Sequence, residues 1–275
     1  MAGGDRSTGD DTVSAPGTDR TVMRTAAYAD PGKLDDRRSI YAFRWPKFDL
    51  VESVLDQLSV PRGGRVVDVG CGPGTYAAAL LARDASLRVT GVDLSVGMLA
   101  AARDAGIRGV ACDAVRLPYR TPTFDAVMAN HMLYHVEHID DAVAEFRRVL
   151  RPGGALLAVT NAQQHFAEFD ALLAEVSGRD GWWRPSHRFV LDNGRRYLEG
   201  VFDAVDTVRF DGELRVPEVE PVMRFARSMR DLSGEGYDDA AWDALMRDFE
   251  RTVTDVIASE GEFRTRTDTG VFICR

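Results

Sequence analysis

The sequence is poor in cysteine, has no excess of positive charge and contains no long apolar run. Its three cysteines, Cys71, Cys112 and Cys274, form no CxxC pair, which disfavours a disulfide framework or a zinc knot and is typical of a reducing compartment. Lysine and arginine number 34 against 43 acidic residues, so the net charge is −9 and no nucleic acid partner is expected. No apolar stretch reaches the roughly 18 residues of a membrane span, and the first twenty residues lack the apolar core of a signal peptide. We therefore expect a cytoplasmic protein with no membrane partner.

The composition divides the chain into three regions. Residues 1–20 are rich in Gly, Ser, Thr and Asp and are predicted to be a flexible tail, because they cannot bury enough apolar surface to offset the entropy of ordering. Residues 21–60 are predicted to form an N-terminal helical cap, in which one helix runs from Trp45 to Leu55 with Pro46 in its first turn. Residues 61–275 form the predicted main domain.

Short apolar runs alternate with amphipathic segments along the main domain. The predicted strands are 65–70, 87–93, 107–112, 124–130 and 155–160, and the predicted helices between them are 75–84, 96–106 and 139–150. This alternation predicts an α/β fold, in which a parallel sheet carries helices on both faces.

The C-terminal third breaks this rhythm. The pattern predicts a strand over 202–210, helices over about 218–232 and 238–260, and a closing strand over 263–274. The closing strand alternates with a period of two, which suits an edge or antiparallel strand. The helical insertion at about 217–260 could form a lid over a site or pack as a dimer face, so a homo-oligomer remains open.

The sharpest local signal is the glycine-rich turn Asp68-Val-Gly70-Cys71-Gly72-Pro-Gly74, between the first predicted strand and helix. Glycine allows a positive φ and lets a ligand lie against bare backbone. The helix that follows offers free N–H groups to a carboxylate or phosphate. The dinucleotide fingerprint is GxGxxG, whereas this turn has its third glycine one residue early, which weakens a nicotinamide interpretation.

Two acidic residues follow the next two strands. Asp93 ends the second strand, where a carboxylate can accept both hydroxyls of a ribose in adenosine-binding sheets. Asp113 follows the third strand and is either a partner for the exocyclic amine of a base or a loop acid without a ligand.

Four segments then occur in order and at compatible spacing: VVDVGCGPG, VTGVDLSVGML, CDAVRLPYRTPTFDAV and EFRRVLRPGG. Together they resemble the successive motifs of the class I S-adenosylmethionine-dependent methyltransferases of the ubiquinone-biosynthesis-like type (methyltransferase type 11). The resemblance is dense over about residues 60–165 and covers the rest only in outline. It implies a Rossmann-like, doubly wound seven-stranded sheet with an antiparallel last strand, and S-adenosylmethionine as the cofactor.

The resemblance also implies which residues bind the cofactor. Asp93 would bind the ribose hydroxyls, and Asp113 would accept from the adenine amine. The full implied set, from the methionine end to the adenine end, is Asp68, Gly70, Cys71, Gly72, Asn130, Asp93, Leu94, Met98, Asp113 and Ala114.

Candidate catalytic residues cluster after the fourth predicted strand. His131 follows Asn130 and could accept a proton from a hydroxyl or ammonium acceptor. Tyr134 and His165 are further candidates, and ordinary packing is the competing explanation for all three. A zinc ion on His131 and His135 would lack a third ligand nearby, so no metal site is predicted.

Aromatic side chains supply two further candidates. Tyr28, Tyr41 and Trp45 could form a neutral wall around a sulfonium or pack in the core. The segment GWWRPSH (181–187) could stack an aromatic acceptor, hold a carboxylate through Arg184, or cover the core.

These observations combine into one hypothesis, a methyltransferase that acts on an O, N or C atom of a small molecule. The expected acceptor is a natural product or another compound of secondary metabolism. Two alternatives stay open: an NAD(P)-linked oxidoreductase on a related sheet, and a non-catalytic module that binds the cofactor. The glycine spacing disfavours the first, whereas the turn alone does not separate the second from an enzyme.

Overall fold

The computed structural model describes residues 17–179, 184–234 and 236–275. Most of the predicted tail, and Gly181, Trp182 and Trp183 of the GWWRPSH segment, lie outside these residues. Within them, no helix combines the length and the apolar character needed to cross a membrane.

Eight strands form a single sheet in the order β1-β7-β8-β6-β5-β2-β3-β4. Strands β2 to β6 pair in parallel where they are neighbours, and β8 runs antiparallel to both β6 and β7. The predicted α/β fold and the antiparallel last strand are therefore confirmed. The bounds are β1 Arg44–Trp45, β2 Arg65–Val69, β3 Arg88–Asp93, β4 Arg108–Ala111, β5 Phe124–Asn130, β6 Leu150–Asn161, β7 Val205–Val216 and β8 Phe263–Cys274.

Helices cover both faces of this sheet and also pack on one another beyond its end. Their bounds are α1 Arg20–Val22, α2 Gly32–Ser39, α3 Leu50–Leu55, α4 Thr75–Arg83, α5 Val96–Asp104, α6 Ile139–Val149, α7 Ala167–Ser177, α8 Arg195–Glu199, α9 Val219–Ser228, α10 Arg230–Ser233 and α11 Asp239–Glu260. A π-helical turn covers Met23–Ala27, and 3₁₀ turns cover Ile40–Phe43, Leu133–His135 and Pro185–Arg188.

The core is built in layers on the central strands. Strand β5 is buried along almost its whole length, because α6 covers one face of the sheet, and α3 and α4 cover the other. This double burial agrees with the apolar run Ala126–Ala129 at the centre of the strand. A separate cluster of aromatic rings joins α7, α9 and α11, where Phe169 packs edge-to-face on Phe225 and Phe249.

The cap differs from its sequence-based prediction. The helix predicted over 45–55 begins only at Leu50, because the Asp49 carboxylate accepts a hydrogen bond from the Glu52 N–H and sets the helix start there. Trp45 belongs instead to β1, a two-residue strand that pairs antiparallel with β7. This pairing adds an eighth strand to the seven that the family resemblance implies.

Three further predicted elements, β8, β6 and the helix over 218–232, can be located in the structure. The closing strand β8 was expected to be an edge or antiparallel strand; it is antiparallel and lies inside the sheet, between β6 and β7. Strand β6, predicted over 155–160, begins at Leu150 and continues through Pro152, Gly153 and Gly154 to Asn161. The helix predicted over 218–232 is divided at Met229 into α9 and α10.

The cap packs against the helical insertion. Helix α2 lies against α9, and the buried Arg37 guanidinium donates hydrogen bonds to the Ser228 and Ala27 carbonyl oxygens at 2.9 and 3.2 Å. Lys33 forms an ion pair with Asp231. These contacts enclose the space above the carboxyl ends of the parallel strands.

The buried face of α6 gives a stability test. Phe146 is fully buried in the core beneath β5, so we expect Phe146→Ala to lower the free energy of unfolding by about 3–5 kcal/mol. Ala144→Ser on the exposed side of the same helix should change it by less than about 0.5 kcal/mol. Urea denaturation measures both variants, and equal values for the two would contradict this packing.

Candidate functional site

One cavity of about 580 Å³ opens at the carboxyl ends of the parallel strands, beneath the cap. Its lining includes every residue that the sequence nominated for cofactor binding or catalysis: Asp68, Gly70, Cys71, Gly72, Asp93, Leu94, Met98, Asp113, Ala114, Asn130, His131, Tyr134 and His165. The topology brings these residues together because the ends of neighbouring parallel strands meet at one edge of the sheet.

The glycine-rich turn has a backbone that only glycine adopts easily. Gly70, Gly72 and Gly74 all have positive φ angles, of 67°, 52° and 83°. A Cβ on Gly70 would lie 2.6 Å from the Cβ of Met132, whereas a Cβ on Gly72 would meet nothing closer than 3.7 Å. The turn therefore packs tightly on one side and leaves bare backbone beside the cavity.

Asp93 ties this turn to the next strand. Its carboxylate oxygens accept hydrogen bonds from the Gly72 N–H at 2.9 Å and the Ser95 N–H at 2.8 Å. The Ser95 hydroxyl accepts from the Met98 N–H as the cap of α5, and it donates to the Tyr28 carbonyl oxygen at 2.6 Å. The turn, α5 and the cap are thus fixed to one another around the Asp93 carboxylate.

Asp68 and Asn130 leave two buried acceptor atoms without a partner. The Asn130 amide donates to Asp68 Oδ1 at 3.3 Å, but Asp68 Oδ2 and Asn130 Oδ1 accept no hydrogen bond within the described part of the chain. Burial raises the pKa of the Asp68 carboxyl to about 8. Two unpaired acceptors of this kind fit a ligand that carries hydrogen-bond donors or positive charge.

Asp113 lies at the other end of the cavity and already has partners. Its carboxylate accepts from the Val115 N–H at 3.1 Å and lies 2.7 Å from a guanidinium nitrogen of Arg20. Arg20 is the first residue of α1, so a base amine that reached Asp113 would share or displace this ion pair. Leu94, Met98 and Ala114 give this end of the cavity its apolar wall.

A tyrosine and a histidine pair beside the turn, and their proton positions follow from their neighbours. His135 Nδ1 lies 2.9 Å from the Gly17 carbonyl oxygen, which only accepts, so Nδ1 carries the hydrogen. Burial lowers the pKa of the His135 imidazole to about 4, so Nε2 carries no proton near neutral pH. Nε2 therefore accepts a hydrogen bond from the Tyr28 hydroxyl at 2.8 Å. The lone pairs of the Tyr28 oxygen stay available to accept a hydrogen bond from a ligand.

A second tyrosine–histidine pair has the opposite polarity. His165 Nδ1 accepts from the Asp268 N–H at 3.0 Å, and burial holds the pKa of this imidazole well below its usual value. The neutral ring thus carries its hydrogen on Nε2 and donates it to the Tyr41 oxygen at 2.9 Å. The Tyr41 hydroxyl can therefore donate its own proton to another acceptor. Both ring nitrogens of His165 are engaged in hydrogen bonds within the chain.

His131 is the histidine of the site whose ring makes no hydrogen bond within the described residues. It has a left-handed φ of 56°, an uncommon backbone conformation that recurs at functional sites. Burial, together with Arg38 and Arg44 nearby, lowers the pKa of its imidazole to about 4. Near neutral pH His131 thus presents a free, uncharged and weakly basic imidazole to the cavity.

Tyr134 faces the same space with an uncharged hydroxyl. Its ring packs edge-on against His135 at 4.6 Å between centroids, and burial raises the pKa of its phenol well above the usual value. Tyr134 therefore acts in this environment as a neutral wall or as a hydrogen-bonding group.

The cavity contains a buried cation that the sequence did not indicate, and two residues proposed from the sequence have other contacts. Arg44 on β1 lines the cavity with a buried guanidinium, and no motif marks it. Arg184, offered above as a ligand for an acceptor carboxylate, is engaged within the chain, because its Nε donates to both carboxylate oxygens of Asp170 at 2.7 Å. Trp45, a candidate for the cavity wall, is instead half exposed on the outer side of β1.

Comparison with known proteins agrees with this arrangement. Residues 67–158 match the sequence family described as a methyltransferase domain. The chain is 33% identical over 187 residues to a malonyl-[acyl-carrier protein] O-methyltransferase of Enterobacter lignolyticus, over 67% of this chain and 69% of that protein. It is 37% identical over 122 residues to a demethylmenaquinone methyltransferase of Beutenbergia cavernae, of which it spans only half.

Among solved structures, the fold resembles phosphoethanolamine N-methyltransferase 2 of Haemonchus contortus in complex with S-adenosyl-L-methionine. The TM-score is 0.56 at 18% identity, over 93% of this chain and 59% of that one. At this identity the likeness establishes the fold.

The buried Asp68 carboxyl gives a pH-dependent stability. An unfolded aspartate titrates near 3.9, whereas burial raises the pKa of folded Asp68 to about 8. Between these values the folded state binds more protons, so the ligand-free protein loses stability as the pH rises. We expect Asp68→Asn to gain on the wild type by up to about 1.4 kcal/mol per pH unit between pH 5 and 7. Urea denaturation at each pH tests this, and parallel curves for the two proteins would refute it.

Proposed function

Because the chain belongs to the class I S-adenosylmethionine-dependent methyltransferases, we propose that it methylates an oxygen, nitrogen or carbon atom of a small molecule bound in the cavity described above. One observation carries this proposal. A single cavity joins the glycine-rich turn and Asp93 to a wall of uncharged tyrosines and histidines.

The polar atoms of the turn fit the cofactor. The unpaired acceptors Asp68 Oδ2 and Asn130 Oδ1 would hold the α-ammonium of the methionine moiety. The Asp93 carboxylate has lone pairs left for the ribose hydroxyls, and Gly72 leaves room for the cofactor to lie against the backbone. Bound there, S-adenosylmethionine supplies an electrophilic methyl group on a sulfonium.

The wall suits a transfer in which positive charge disappears. A fixed anion beside the sulfonium would stabilise the ground state more than the transition state. Tyr28 and Tyr41 keep their protons because burial raises the pKa of both phenols. The same burial keeps His135 and His165 neutral, so all four groups are polar but uncharged. What remains for the chain to supply is alignment of the donor and the acceptor, which is worth about 7–11 kcal/mol when complete.

We propose His131 as the proton acceptor when the acceptor atom needs deprotonation. Its free imidazole faces the cavity, whereas the ring nitrogens of His135 and His165 are engaged. Its low pKa makes it a weak base, which suits an acceptor that already carries a labile proton.

The names of the relatives do not narrow the class of methyl acceptor. The relatives are named for a malonyl acyl-carrier protein and for demethylmenaquinone, which are chemically unlike each other. We propose a natural product or other secondary metabolite, and the aromatic lining from Tyr28, Tyr41, Tyr134, Phe166 and Phe225 favours an acceptor with apolar or aromatic surface.

The cofactor assignment is tested by Asp93→Ala. Losing a carboxylate that binds two ribose hydroxyls should weaken S-adenosylhomocysteine binding by about 2–4 kcal/mol in isothermal titration calorimetry. Asp104→Ala, an exposed acid at the end of α5, is the matched control and should bind as the wild type does. Tight binding of NADH by a wild type that ignores S-adenosylhomocysteine would instead support the oxidoreductase alternative.

The role of His131 is tested by His131→Asn, since asparagine tolerates the left-handed backbone and removes the base. We expect affinity for S-adenosylhomocysteine within about threefold of the wild type and a loss of turnover of about 10²–10⁴-fold. The assay follows labelled methyl from S-adenosylmethionine into a metabolite extract. Equal turnover in the two proteins would remove His131 from the reaction, and no labelled product from the wild type would favour the non-catalytic module.

A further inference from the structure

Arg44 is a buried cation that forms no ion pair with any of the described residues. Its side chain lines the cavity, the residue is 4% exposed, and neither Nη1 nor Nη2 has a hydrogen-bond partner in the described part of the chain. Its guanidinium lies over the rings of Tyr41 and Phe48, at 5.1 and 4.5 Å from their centroids. Rings attract a cation but accept none of its N–H hydrogen bonds, so the cost of burial is only partly offset.

The other buried arginines show that this is an exception. Three arginines among the described residues are buried, and Arg37 and Arg184 are 8% and 6% exposed. Arg37 donates to two carbonyl oxygens, and Arg184 is paired with the Asp170 carboxylate. Arg184 Nη2 also lacks a hydrogen-bond partner, but it forms an ion pair with the Asp170 carboxylate. Among the described residues, Arg44 is therefore the buried arginine that lines the cavity with neither an acidic nor a carbonyl partner for its Nη groups.

Tyr41 adds a third donor at the same place. Its oxygen accepts the Nε2 hydrogen of His165, so its own hydroxyl proton is free to donate, and the Arg44 guanidinium lies against its ring. The backbone of Arg44 is held by the pairing of β1 with β7, opposite Leu214. The donors therefore stand at a fixed position before any ligand binds.

We propose that Arg44 and Tyr41 form a carboxylate-binding subsite of the cavity. The two Nη groups of a guanidinium form a planar fork that matches the two oxygens of a carboxylate, and the Tyr41 hydroxyl can bond a further lone pair. The proposal rests on the proposed function, which offers two sources for the carboxylate: the methionine end of the donor and an acidic group of the acceptor.

Calorimetry with two nucleosides separates these sources. S-adenosylhomocysteine carries the amino-acid carboxylate, and 5′-methylthioadenosine lacks that half of the molecule. If Arg44 binds the donor, Arg44→Met should lose about ten- to hundredfold in affinity for S-adenosylhomocysteine and none for 5′-methylthioadenosine. Arg44→Lys, which keeps the charge but not the fork, should recover part of the loss. Arg215→Met, on the neighbouring strand β7 outside the cavity, is the matched control.

If Arg44 binds the acceptor, S-adenosylhomocysteine affinity stays unchanged in Arg44→Met. A panel of small carboxylic acids, each matched with its amide, is then added to the protein saturated with S-adenosylhomocysteine. At least one acid should raise the midpoint of thermal unfolding of the wild type more than its amide does, and this difference should vanish in Arg44→Met. Unchanged affinity together with no acid–amide difference overturns the subsite.

Two controls keep the result unambiguous. Arg44→Met removes a buried charge that has no partner, so its unfolding midpoint without ligand should not fall below that of the wild type; if it does, Arg44→Lys decides alone. Failure of the proposed function has a different signature, because the wild type would then bind neither nucleoside. In that case the acid–amide panel on the ligand-free protein still decides for or against the subsite.

Discussion

The hydrogen bond from the Gly72 N–H to the Asp93 carboxylate is the contact on which the site depends. It joins the turn after β2 to the end of β3, and the turn takes this shape with positive φ angles at three alternate glycines, Gly70, Gly72 and Gly74. The parallel pairing of β2 with β5 places Asp68 and Asn130 at the same edge of the sheet, beside this turn. The sheet and its turn form the base of the cavity, and the cap and the helical insertion cover it.

The cap and the loops after β5 and β6 determine the electrostatic character of the cavity. The cap supplies Tyr28 and Tyr41, while the loops after β5 and β6 supply their partners His135 and His165. Each histidine has its tautomer set by a backbone group on its far side, so one tyrosine presents lone pairs and the other presents a hydrogen. Two similar pairs thereby give one wall both polarities without adding net charge.

The parts that the sequence predicted correctly are those encoded by local pattern. The runs RVVDV and FDAVMAN, the stripe of α6 and the glycine spacing each carry their own signal, and they locate the central sheet and the turn. Strand β1 has only two residues and exists through its pairing with Leu214 and Glu213, far away in the sequence, so no local pattern could reveal it. The inner position of β8 likewise depends on β7 closing outside it.

The sequence also did not reveal which side chains would contact one another in the cavity. Arg184 and Arg44 both line the cavity, yet Arg184 is paired with the Asp170 carboxylate, whereas Arg44 has no ion pair with an acidic residue in the described part of the chain. Tyr28 and Tyr41 were expected either to form a neutral wall or to pack in the core, and neither alternative included partners for their hydroxyls, because the histidines that bind them lie more than a hundred residues away. Pairings over such separations follow from the tertiary fold and leave no mark in local spacing.

Ser95 lies where the end of β3, the start of α5 and the cap meet, and its contacts restrict which side chains the position can accept. Its amide binds Asp93, and its single hydroxyl serves both the start of α5 and the carbonyl of Tyr28, in a space where the side chain is almost completely enclosed. Alanine would orphan the Tyr28 carbonyl, threonine would need room for a methyl group, and asparagine would place its amide too far out. The position therefore tolerates little change in side chain, because one hydroxyl meets both requirements at once.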